Sequence, residues 1–385
     1  MALRIVILGA GIGGLSAAIA LRNAGFAPVL FEQAPELREA GAGVGIWSNA
    51  MASLEQLGVA EVLRNASLPL RRLSGANAAG NSISDIHLDS LGAEFAAAAC
   101  HIVLRPTLLA ALASHVPAET IHTGSRAVRV ESCADHAVLH LADGRRETAD
   151  LLVAADGLHS VARPCVVPPP DPIRYSGQTC FRGIACFPPP DPDTLREIQG
   201  AGIRGSVCPV AADTVYWWTA INAPAGAVIP QQERKAWLLE RFGNFPFRLP
   251  AAIDATPRDA ILQNDLVDRP PARVYTRERI VLLGDAAHPT TPNLGQGANM
   301  AIDDAIVLAR QLRAEPALEA ALRGYQRERL ARTRLMVKRS WSYGRLARWK
   351  FPPAVKLREA LLRHTPRRAL VNILRAQILA SVGPL

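Results

Sequence analysis

The sequence lacks the cysteine patterns of a metal site or a disulfide framework. Its 385 residues include six cysteines, none of which forms a CxxC pair or has a histidine at metal-ligand spacing. We therefore expect scattered reduced thiols, no metal site and a cytoplasmic protein. The six are Cys100, Cys133, Cys165, Cys180, Cys186 and Cys208.

Long apolar runs and repeats are also missing. No stretch approaches the roughly 18 uninterrupted apolar residues that a membrane-spanning helix needs. The apolar start of the chain follows no basic segment and has no cleavage-like end, so it is not typical of a signal peptide. We expect a soluble protein, and 385 residues exceed a usual single core, which predicts two domains.

Positive charge is in excess only at the end of the chain. The formal net charge is +9, but the segment from Arg323 onward holds 16 Lys and Arg against 2 Glu. The preceding part holds 27 Lys and Arg against 32 Asp and Glu. A mildly acidic body with a strongly basic tail is therefore expected, with no nucleic-acid partner.

The beginning of the chain organises the rest. Leu3–Leu8 is a short aliphatic run typical of a buried parallel strand, and Gly9-x-Gly11-x-x-Gly14 follows it directly. The Ala- and Leu-rich stretch Leu15–Ala24 predicts a helix. Glycines at these positions permit a tight turn, the approach of a diphosphate and close packing of the helix on the strand.

An acidic residue follows the second predicted strand. Pro28–Phe31 precedes Glu32, whose carboxylate can accept hydrogen bonds from the ribose hydroxyls of an adenosine. The combination predicts a dinucleotide site. By itself it does not choose between FAD and NAD(P).

Further strand-to-turn junctions occur later. A run beginning at Leu151 ends in Asp156, and one beginning at Arg279 ends in Asp285, each aspartate beside a glycine. Another predicted strand ends at Arg105, just before a helix. We therefore expect these later segments to belong to the same domain as the beginning of the chain, with other segments inserted between them.

A glycine-rich segment lies between the second strand and the next helix. Gly41, Gly43 and Gly45 allow backbone to lie flat against a large planar group. Asn49 is expected to cap a helix that continues to Leu57.

The middle of the chain is β-rich and begins after the five prolines of Pro164–Pro172. Trp217 and Trp218 are neighbours on one strand, so they point to opposite faces, and at most one lines a pocket. The strand candidates are Arg72–Ser74, Ile83–Leu88, Gln178–Phe187, Gly205–Val210 and Thr214–Asn222, and Gln231–Phe242 is a helix candidate.

These motifs resemble those of the class A FAD-dependent aromatic monooxygenases, especially the short branch near urate hydroxylase, salicylate hydroxylase and zeaxanthin epoxidase. The resemblance covers about residues 1–340. Its three motifs are Gly9-Ala-Gly-Ile-Gly-Gly14, Ala155-Asp-Gly-Leu-His-Ser160-x-x-Arg163 and Gly284-Asp-Ala-Ala-His288-Pro289.

The resemblance implies an α/β fold with a discontinuous Rossmann-like FAD-binding domain, a β-sheet substrate domain and C-terminal helices. The expected FAD-binding domain comprises residues 1–70, 100–165 and 275–320. The expected substrate domain comprises 71–99 and 166–274, and the basic helices comprise 321–385.

The resemblance also implies noncovalent FAD with specific contacts. Glu32 would bind the adenosine ribose, Val128 the adenine surroundings through its backbone, Arg105 the ribityl and diphosphate side, and Asp285 the ribityl hydroxyls. The full implied set is Gly9, Gly11, Gly13, Gly14, Glu32, Gln33, Gly45, Arg105, Val128, Asp156, Asp285, Pro292, Gly295, Gln296, Gly297 and Ala298.

The residues around Gly295 give a physical reason to expect the flavin ring beside them. Gly295-Gln296-Gly297 precedes a predicted helix, Ala298–Leu312, so its N–H groups can stabilise negative charge on a reduced flavin ring. The family's reaction is then implied: NAD(P)H reduces FAD, O₂ forms a C4a-hydroperoxide, and one oxygen passes to an aromatic or conjugated small molecule. Alternatives are a polyene epoxidase, an antibiotic-modifying monooxygenase, or a flavin-fold binding protein without turnover.

The substrate is less defined. By the resemblance, Arg204, Tyr216 and Asn293 would face it, but an acidic residue is expected at 293 and an asparagine at 178, where this chain has Gln178. Arg204 favours an anionic or carbonyl-bearing ring, or it is an exposed residue of a glycine-rich loop. His288 is either a satisfied histidine or a functional one.

The basic tail has two interpretations. Arg345, Arg348, Lys350, Lys356 and Arg358 alternate with Trp341, Trp349 and Phe351. Such helices can lie on a membrane surface, or they can pack their aromatic residues on the protein.

Overall fold

The computed structural model describes residues 3–37, 42–91, 99–378 and 382–385. Gly41 of the predicted glycine-rich segment lies outside the described residues. The strands are β1 Ile5–Leu8, β2 Val29–Phe31, β3 Gly43–Ile46, β4 Pro69–Leu70, β5 Arg72–Asn77, β6 Ser82–His87, β7 Cys100–Leu104, β8 Ile121–His122, β9 Ala127–Ser132, β10 Ala137–Leu141, β11 Arg146–Ala149, β12 Leu151–Ala154, β13 Arg174–Cys186, β14 Thr194–Gln199, β15 Ile203–Ala211, β16 Thr214–Asn222, β17 Leu262–Asp268, β18 Thr276–Arg277 and β19 Ile280–Leu282. The helices are α1 Ile12–Asn23, α2 Ser48–Gln56, α3 Ala60–Asn65, α4 Arg105–Ala113, α5 Arg163–Val166, α6 Arg234–Phe242, α7 Leu249–Ala255, α8 Gly297–Ala314, α9 Leu318–Ala347, α10 Pro352–His364 and α11 Arg367–Ile378.

The first sheet gathers the predicted junctions. Its order is β18-β19-β12-β1-β2-β8, and its strands run parallel except β18 at the edge. Every residue of β1, β12 and β19 is buried, as expected where helices cover both faces. The carboxyl ends of β19, β12, β1 and β2 are therefore neighbours, so the turns that follow them meet at one edge. The predicted α/β fold is confirmed.

The second large sheet has two different faces. Its order is β17-β13-β16-β15-β14-β5-β6, with β14 and β5 parallel and the other pairs antiparallel. One face packs Phe181, Trp217 and Ile198 against α6 and α7. The other, which we call the front face, places Arg204 opposite Gln199 and Trp218 opposite Arg182. Trp217 is thus a core residue and Trp218 belongs to the front face.

The described part of the chain also contains two small antiparallel sheets, in the orders β3-β7-β4 and β11-β10-β9. Asn49 was predicted to cap α2, and this is wrong. Trp47 occupies the N-cap, while Asn49 lies inside the first turn and donates a hydrogen bond to Asp303 Oδ2 at 2.9 Å. Buried pairing to another helix outweighs the local preference of asparagine for a cap.

Other element boundaries differ from the predictions. β13 begins at Arg174, before the predicted strand start at Gln178, because Arg174 and Tyr175 also pair with β17. β14, α7 and β17 were not predicted, because their polar or proline-containing sequences carry no clear periodicity and the sheet is completed only by tertiary pairing.

The basic tail forms helices that pack on the rest of the protein. α9 contacts α8, and α10 and α11 contact β6. Among the described residues, no helix is both long enough and apolar enough to cross a membrane.

Candidate active site

The glycine fingerprint packs against the neighbouring junctions. Gly9 has φ +96°, and a Cβ there would lie 2.6 Å from the Ala155 carbonyl oxygen. A Cβ on Gly14 would overlap the Gly9 carbonyl oxygen, and one on Gly13 would lie 2.8 Å from Leu283 Cδ2. Gly11 differs, because no described atom lies within 4 Å of its Cβ position. Three glycines allow close packing, and Gly11 faces open space at the N-terminus of α1.

Glu32 connects the fingerprint to the second strand. Its carboxylate accepts hydrogen bonds from the Ala10 and Ala34 amides, both at 2.8 Å. The next residue, Gln33, is exposed, and Val128 on β9 is 52% exposed although it is apolar. The Ser125 amide donates to the Glu32 carbonyl at 2.7 Å, so the segment that leads into β9 lies beside Glu32.

Asp285 and Arg105 approach each other from different sheets. Asp285 follows β19, and Arg105 begins α4, where its amide donates to the Ala42 carbonyl at 2.8 Å. The Asp285 side chain is accessible to solvent, but the surrounding protein desolvates its carboxyl and raises its pKa, against the opposing charges of His288 and Arg105. Asp285 Oδ1 lies 3.9 Å from the position of a Cβ on Gly297, so it is close to the start of α8.

Arg163 joins the turn after Asp156 to residues 284–289, which carry Asp285 and which we call the GD segment. Asp156 Oδ2 accepts the Val161 amide at 2.7 Å, and desolvation raises the pKa of its carboxyl. Arg163 is buried, binds both carboxylate oxygens of Asp171 at 2.6 and 2.8 Å, and donates to the Ala286 and Ala287 carbonyls. Arg163 therefore positions the turn that carries Asp285.

The loop before α8 is held by Asn299. Its side chain donates to the Gly295 carbonyl at 2.7 Å and to the Gly45 carbonyl at 2.8 Å, and accepts the Trp47 amide at 2.8 Å. Trp47 Nε1 also donates to the Gly295 carbonyl at 3.0 Å. Gly295 has φ +61°, and a Cβ there would press on the Trp47 ring.

This arrangement fixes the loop against the glycine-rich strand β3. The 3-10 turn Pro292–Leu294 leads into the loop, Gln296 occupies the N-cap of α8, and Gly297 and Ala298 form its first turn. Gly297 has room for a side chain, since the nearest atom would be 3.6 Å away.

A buried ion pair anchors this region to the tail. Asp304 accepts hydrogen bonds from His288 Nε2 and Arg329 Nε at 2.6 Å each, and from the Gly284 amide at 3.0 Å. Burial alone would raise the pKa of Asp304, but His288 and Arg329 lower it to about 2. One side of His288 is thus satisfied, and Arg329 of α9 supports the GD segment.

Several buried polar atoms face no partner within the described part of the chain. Four of them belong to residues of the predicted motifs and of the loop before α8: Asp156 Oδ1, His288 Nδ1, and both side-chain amide atoms of Gln296. The carboxyl ends of β1, β12 and β19 are neighbours. These atoms, the open space beside Gly11 and the accessible Asp285 carboxylate therefore supply donors and acceptors for a long, polar dinucleotide along one side of a candidate cleft. The residues present fit FAD.

Across this edge, the front face of the seven-stranded sheet carries a polar network. Arg204 on β15 is 2% exposed, and its Nη1 donates to Glu197 Oε1 at 3.2 Å. Its Nη2 contacts the side-chain oxygens of Gln178, at 3.4 Å, and of Asn293. The Arg204 guanidinium also lies 5.3 Å from the Trp218 ring centroid. The alternative of a solvent-exposed loop arginine is therefore wrong, because pairing in the sheet buries the residue.

Asn293 has a fixed orientation. Its nitrogen donates to Thr291 Oγ1 and to the Ser340 carbonyl, both at 2.9 Å, so its oxygen points to Arg204. Tyr216 lies on the front face nearby, where its ring packs on Gly43 of β3 and burial raises the pKa of its hydroxyl. The structure thus brings Arg204 and Asn293 together, and places Tyr216 against the glycine-rich strand.

A family model described as "FAD binding domain" matches residues 2–178 and 265–340. The chain belongs to the FAD-dependent monooxygenases. FAD is its cofactor, as the family match and the solved relatives with bound FAD show.

This monooxygenase is 38% identical over 362 residues to aurachin C monooxygenase/isomerase of Stigmatella aurantiaca, with 94% of each chain covered. It is 31% identical over 369 residues to 2-heptyl-3-hydroxy-4(1H)-quinolone synthase of Pseudomonas aeruginosa, again with 94% of each chain covered. Its fold matches the crystal structure of Klebsiella pneumoniae HpxO complexed with FAD and uric acid, with a TM-score of 0.91, 28% identity, and 98% and 97% of the two chains covered.

Sequence reasoning missed several residues of this monooxygenase's cleft. Glu197 lies on an unpredicted strand, and Tyr343 on α9 donates to Glu197 Oε2 at 2.8 Å. Asn299 and Trp47, which fix the loop before α8, were also missed. The signal that could have found Asn299 is its position two residues after Gly297, in the first turn of a helix whose N-terminus was expected at the flavin.

Proposed function

We propose that this monooxygenase uses NAD(P)H and O₂ to hydroxylate a neutral, carbonyl-bearing nitrogen heteroaromatic ring of the 4-quinolone type that carries an apolar chain. The observation that supports this most is the pairing of Arg204 with Glu197, at 3.2 Å, inside the polar network. A guanidinium already balanced by a carboxylate gains little from a second anion, but it can still donate a hydrogen bond to a neutral carbonyl.

The neighbouring amides suit the same substrate class. Gln178 and Asn293 place their side-chain oxygens beside Arg204, so a ring N–H can donate to these oxygens while the ring carbonyl accepts from the guanidinium. A neutral heterocycle is desolvated at lower cost than a carboxylate. The Pseudomonas aeruginosa relative is named for such a ring, a quinolone with a heptyl substituent.

Apolar side chains next to the polar network provide a surface for the apolar chain of the substrate. Tyr216 and Cys208 of the front face belong to a buried cluster with Ile102 of β7. Half-buried side chains border this cluster, so they are available to pack on a ligand. They are Leu73, Leu104, Leu195, Trp218, Leu262, Val371 and Leu374.

We further propose how the chain holds its cofactor. Glu32 and the exposed backbone near Val128 take the adenosine, Gly11 and the N-terminus of α1 take the diphosphate, and Arg105 and Asp285 take the ribityl side. The Gly295–Ala298 segment presents its N–H groups to the ring. When bound, FAD accepts hydride from NAD(P)H and activates O₂.

The test is NAD(P)H oxidation by the purified holoenzyme in the presence of 2-heptyl-4(1H)-quinolone, with the product identified by mass spectrometry. We expect the quinolone to accelerate oxidation at least about tenfold and to gain one oxygen atom, which amounts to about 1.4 kcal/mol of barrier lowering. Hydrogen peroxide measured in parallel reports oxidation without oxygen transfer.

The matched control is the same quinolone ring carrying a carboxylate, with uric acid as a second comparison. Preference for the carboxylate or for uric acid over the neutral quinolone would contradict the proposed substrate class. NAD(P)H oxidation that no tested ring accelerates, with peroxide as the only product, would contradict hydroxylation of this class altogether.

A further inference from the structure

The segment after α9 presents apolar side chains to solvent. Phe351 is 67% exposed, Leu357 54% and Leu361 55%. Leu357 and Leu361 are one turn apart on α10, so they share one side of that helix. Lys356 and Arg363 are exposed on the same helix. Basic side chains therefore flank an exposed apolar stripe.

A basic cleft adjoins this stripe. A cavity of about 500 Å³ is lined by the last turn of α9 and the residues after it, and by the end of β16. Lys350, which lines the cavity, directly precedes the exposed Phe351. The lining residues are Gly177, Asn222, Ala223, Pro224, Arg345, Arg348, Trp349 and Lys350.

The inner side of the same segment is fixed to the protein. Arg358 is 1% exposed and donates to the Gly200 carbonyl at 2.9 Å, and Arg348 donates to the Ser176 carbonyl at 2.7 Å. Arg174 stacks over the Trp341 ring at 4.1 Å. Only part of the predicted membrane-binding region is therefore free to contact a membrane. Trp341 and Arg358 pack on the rest of the protein, whereas α10 is fixed in place with one side facing solvent.

The charge of this region selects the partner. Residues 345–378 contain nine Lys and Arg and one acidic residue, Glu359. Glu359 accepts a hydrogen bond from Asn77 at 3.2 Å, so it is turned toward β5. A nucleic acid would match the charge but would gain nothing from the exposed leucines and phenylalanine. An anionic bilayer matches both, since phosphates meet the basic side chains and acyl chains meet the apolar ones.

We propose that this surface docks the enzyme on anionic phospholipid membranes, with lipid phosphates at the basic cleft and the apolar stripe at the acyl boundary. We call it the C-terminal face. It consists of Arg345, Lys350, Phe351, Lys356, Leu357, Leu361 and Arg363.

The test is cosedimentation of the FAD-loaded full chain with vesicles. Vesicles of phosphatidylserine and phosphatidylcholine are compared with pure phosphatidylcholine vesicles, at about 0.1 M and about 0.5 M salt. We expect binding to the anionic vesicles at low salt that weakens strongly at high salt. No binding to anionic vesicles at low salt would overturn the proposal.

Variants locate the binding on the C-terminal face. Lys350→Gln with Lys356→Gln should weaken vesicle binding about twenty-fivefold, because each basic residue near anionic lipid contributes about fivefold. Phe351→Ser with Leu357→Ser should weaken it at least about tenfold. Arg22→Gln with Arg71→Gln is the matched control elsewhere on the surface.

Equal loss in the control and the paired variants would mean that net charge, not this surface, drives binding, and would overturn the proposal. Unchanged binding in both C-terminal variants would do the same. The flavin absorbance spectrum of each variant shows that it is folded and loaded. Because no substrate is used, this result does not depend on the proposed quinolone specificity.

Discussion

The two sides of the cleft are built by different means. On the dinucleotide side, glycines and backbone groups that follow β1, β12 and β19 meet at one sheet edge. On the front face, side chains from separate segments form the network: Arg204 and Asn293 are 89 positions apart, and Glu197 and Tyr343 are 146 apart. Short local motifs determine the backbone shape on the dinucleotide side, whereas the side-chain network forms only when the whole fold brings distant segments together.

We expect the largest effect on the backbone side of the cleft, where two glycines of one motif can be replaced separately by alanine. Gly14→Ala places a Cβ on the Gly9 carbonyl oxygen, whereas Gly11→Ala places one in open space. We expect Gly14→Ala to cost at least about 4 kcal/mol of folding free energy. Gly11→Ala should keep its stability and lose FAD affinity. Thermal unfolding and FAD titration of the two apoproteins measure this.

A stable Gly14→Ala protein would contradict the close packing of α1 on β1. A Gly11→Ala protein with unchanged FAD affinity would place the diphosphate elsewhere.

The buried ion pair gives the next effect, since it joins the backbone side to the tail. Arg329→Met removes one partner of Asp304 and leaves its carboxylate buried beside His288. Breaking a buried pair in this way costs about 3–5 kcal/mol. Urea unfolding of the variant measures it. Arg323→Met, which removes the exposed pair with Glu319, is the control and is expected to cost under about 1 kcal/mol.

The same pair predicts a pH dependence. The pKa of Asp304 is lowered from its ordinary value of 3.8 to about 2 in the folded protein. Its contribution of about 2 kcal/mol is therefore fully present above about pH 4 and is lost as the pH falls toward about 2. Unfolding free energies across this range should show that loss in the wild type. An unchanged pH profile in Arg329→Met would assign the acid sensitivity to other carboxylates.

The contrast between the two sides also explains what sequence could predict. The glycine motif at residues 9–14 and the strand ends at Asp156 and Asp285 could be predicted, because local residue spacing determines the strand, the turn and the helix. The burial of Arg204 could not be predicted, since its sequence neighbours are glycine-rich. β14, which supplies Glu197, shows no clear alternation of apolar and polar residues. Tyr343 lay in a helix whose charge suggested solvent or membrane rather than the cleft.

Asp285 tests one of the side-chain contacts proposed for the backbone side. Asp285→Ala removes an acceptor for the ribityl hydroxyls, and hydrogen bonds to charged groups contribute about 1.5–3 kcal/mol. We expect FAD to bind about 10- to 100-fold more weakly, with Asp285→Asn in between because it keeps one oxygen. Fluorescence titration of the apoprotein measures the affinity. An alanine variant that purifies with full FAD occupancy would remove Asp285 from the cofactor site.

The smallest effect concerns the charge balance of the front face. Glu197→Gln keeps the size of the side chain and leaves Arg204, 3.2 Å away, without its carboxylate partner. The uncompensated guanidinium should then attract an anionic ring, so kcat/KM for the carboxylate-bearing quinolone should rise about tenfold relative to the neutral one. Tyr343→Phe, which removes the 2.8 Å hydrogen bond to Glu197 but no charge, is the matched control and should leave this ratio within about threefold. If Glu197→Gln lowers turnover of both rings equally, Glu197 supports the fold of the sheet and does not set substrate charge.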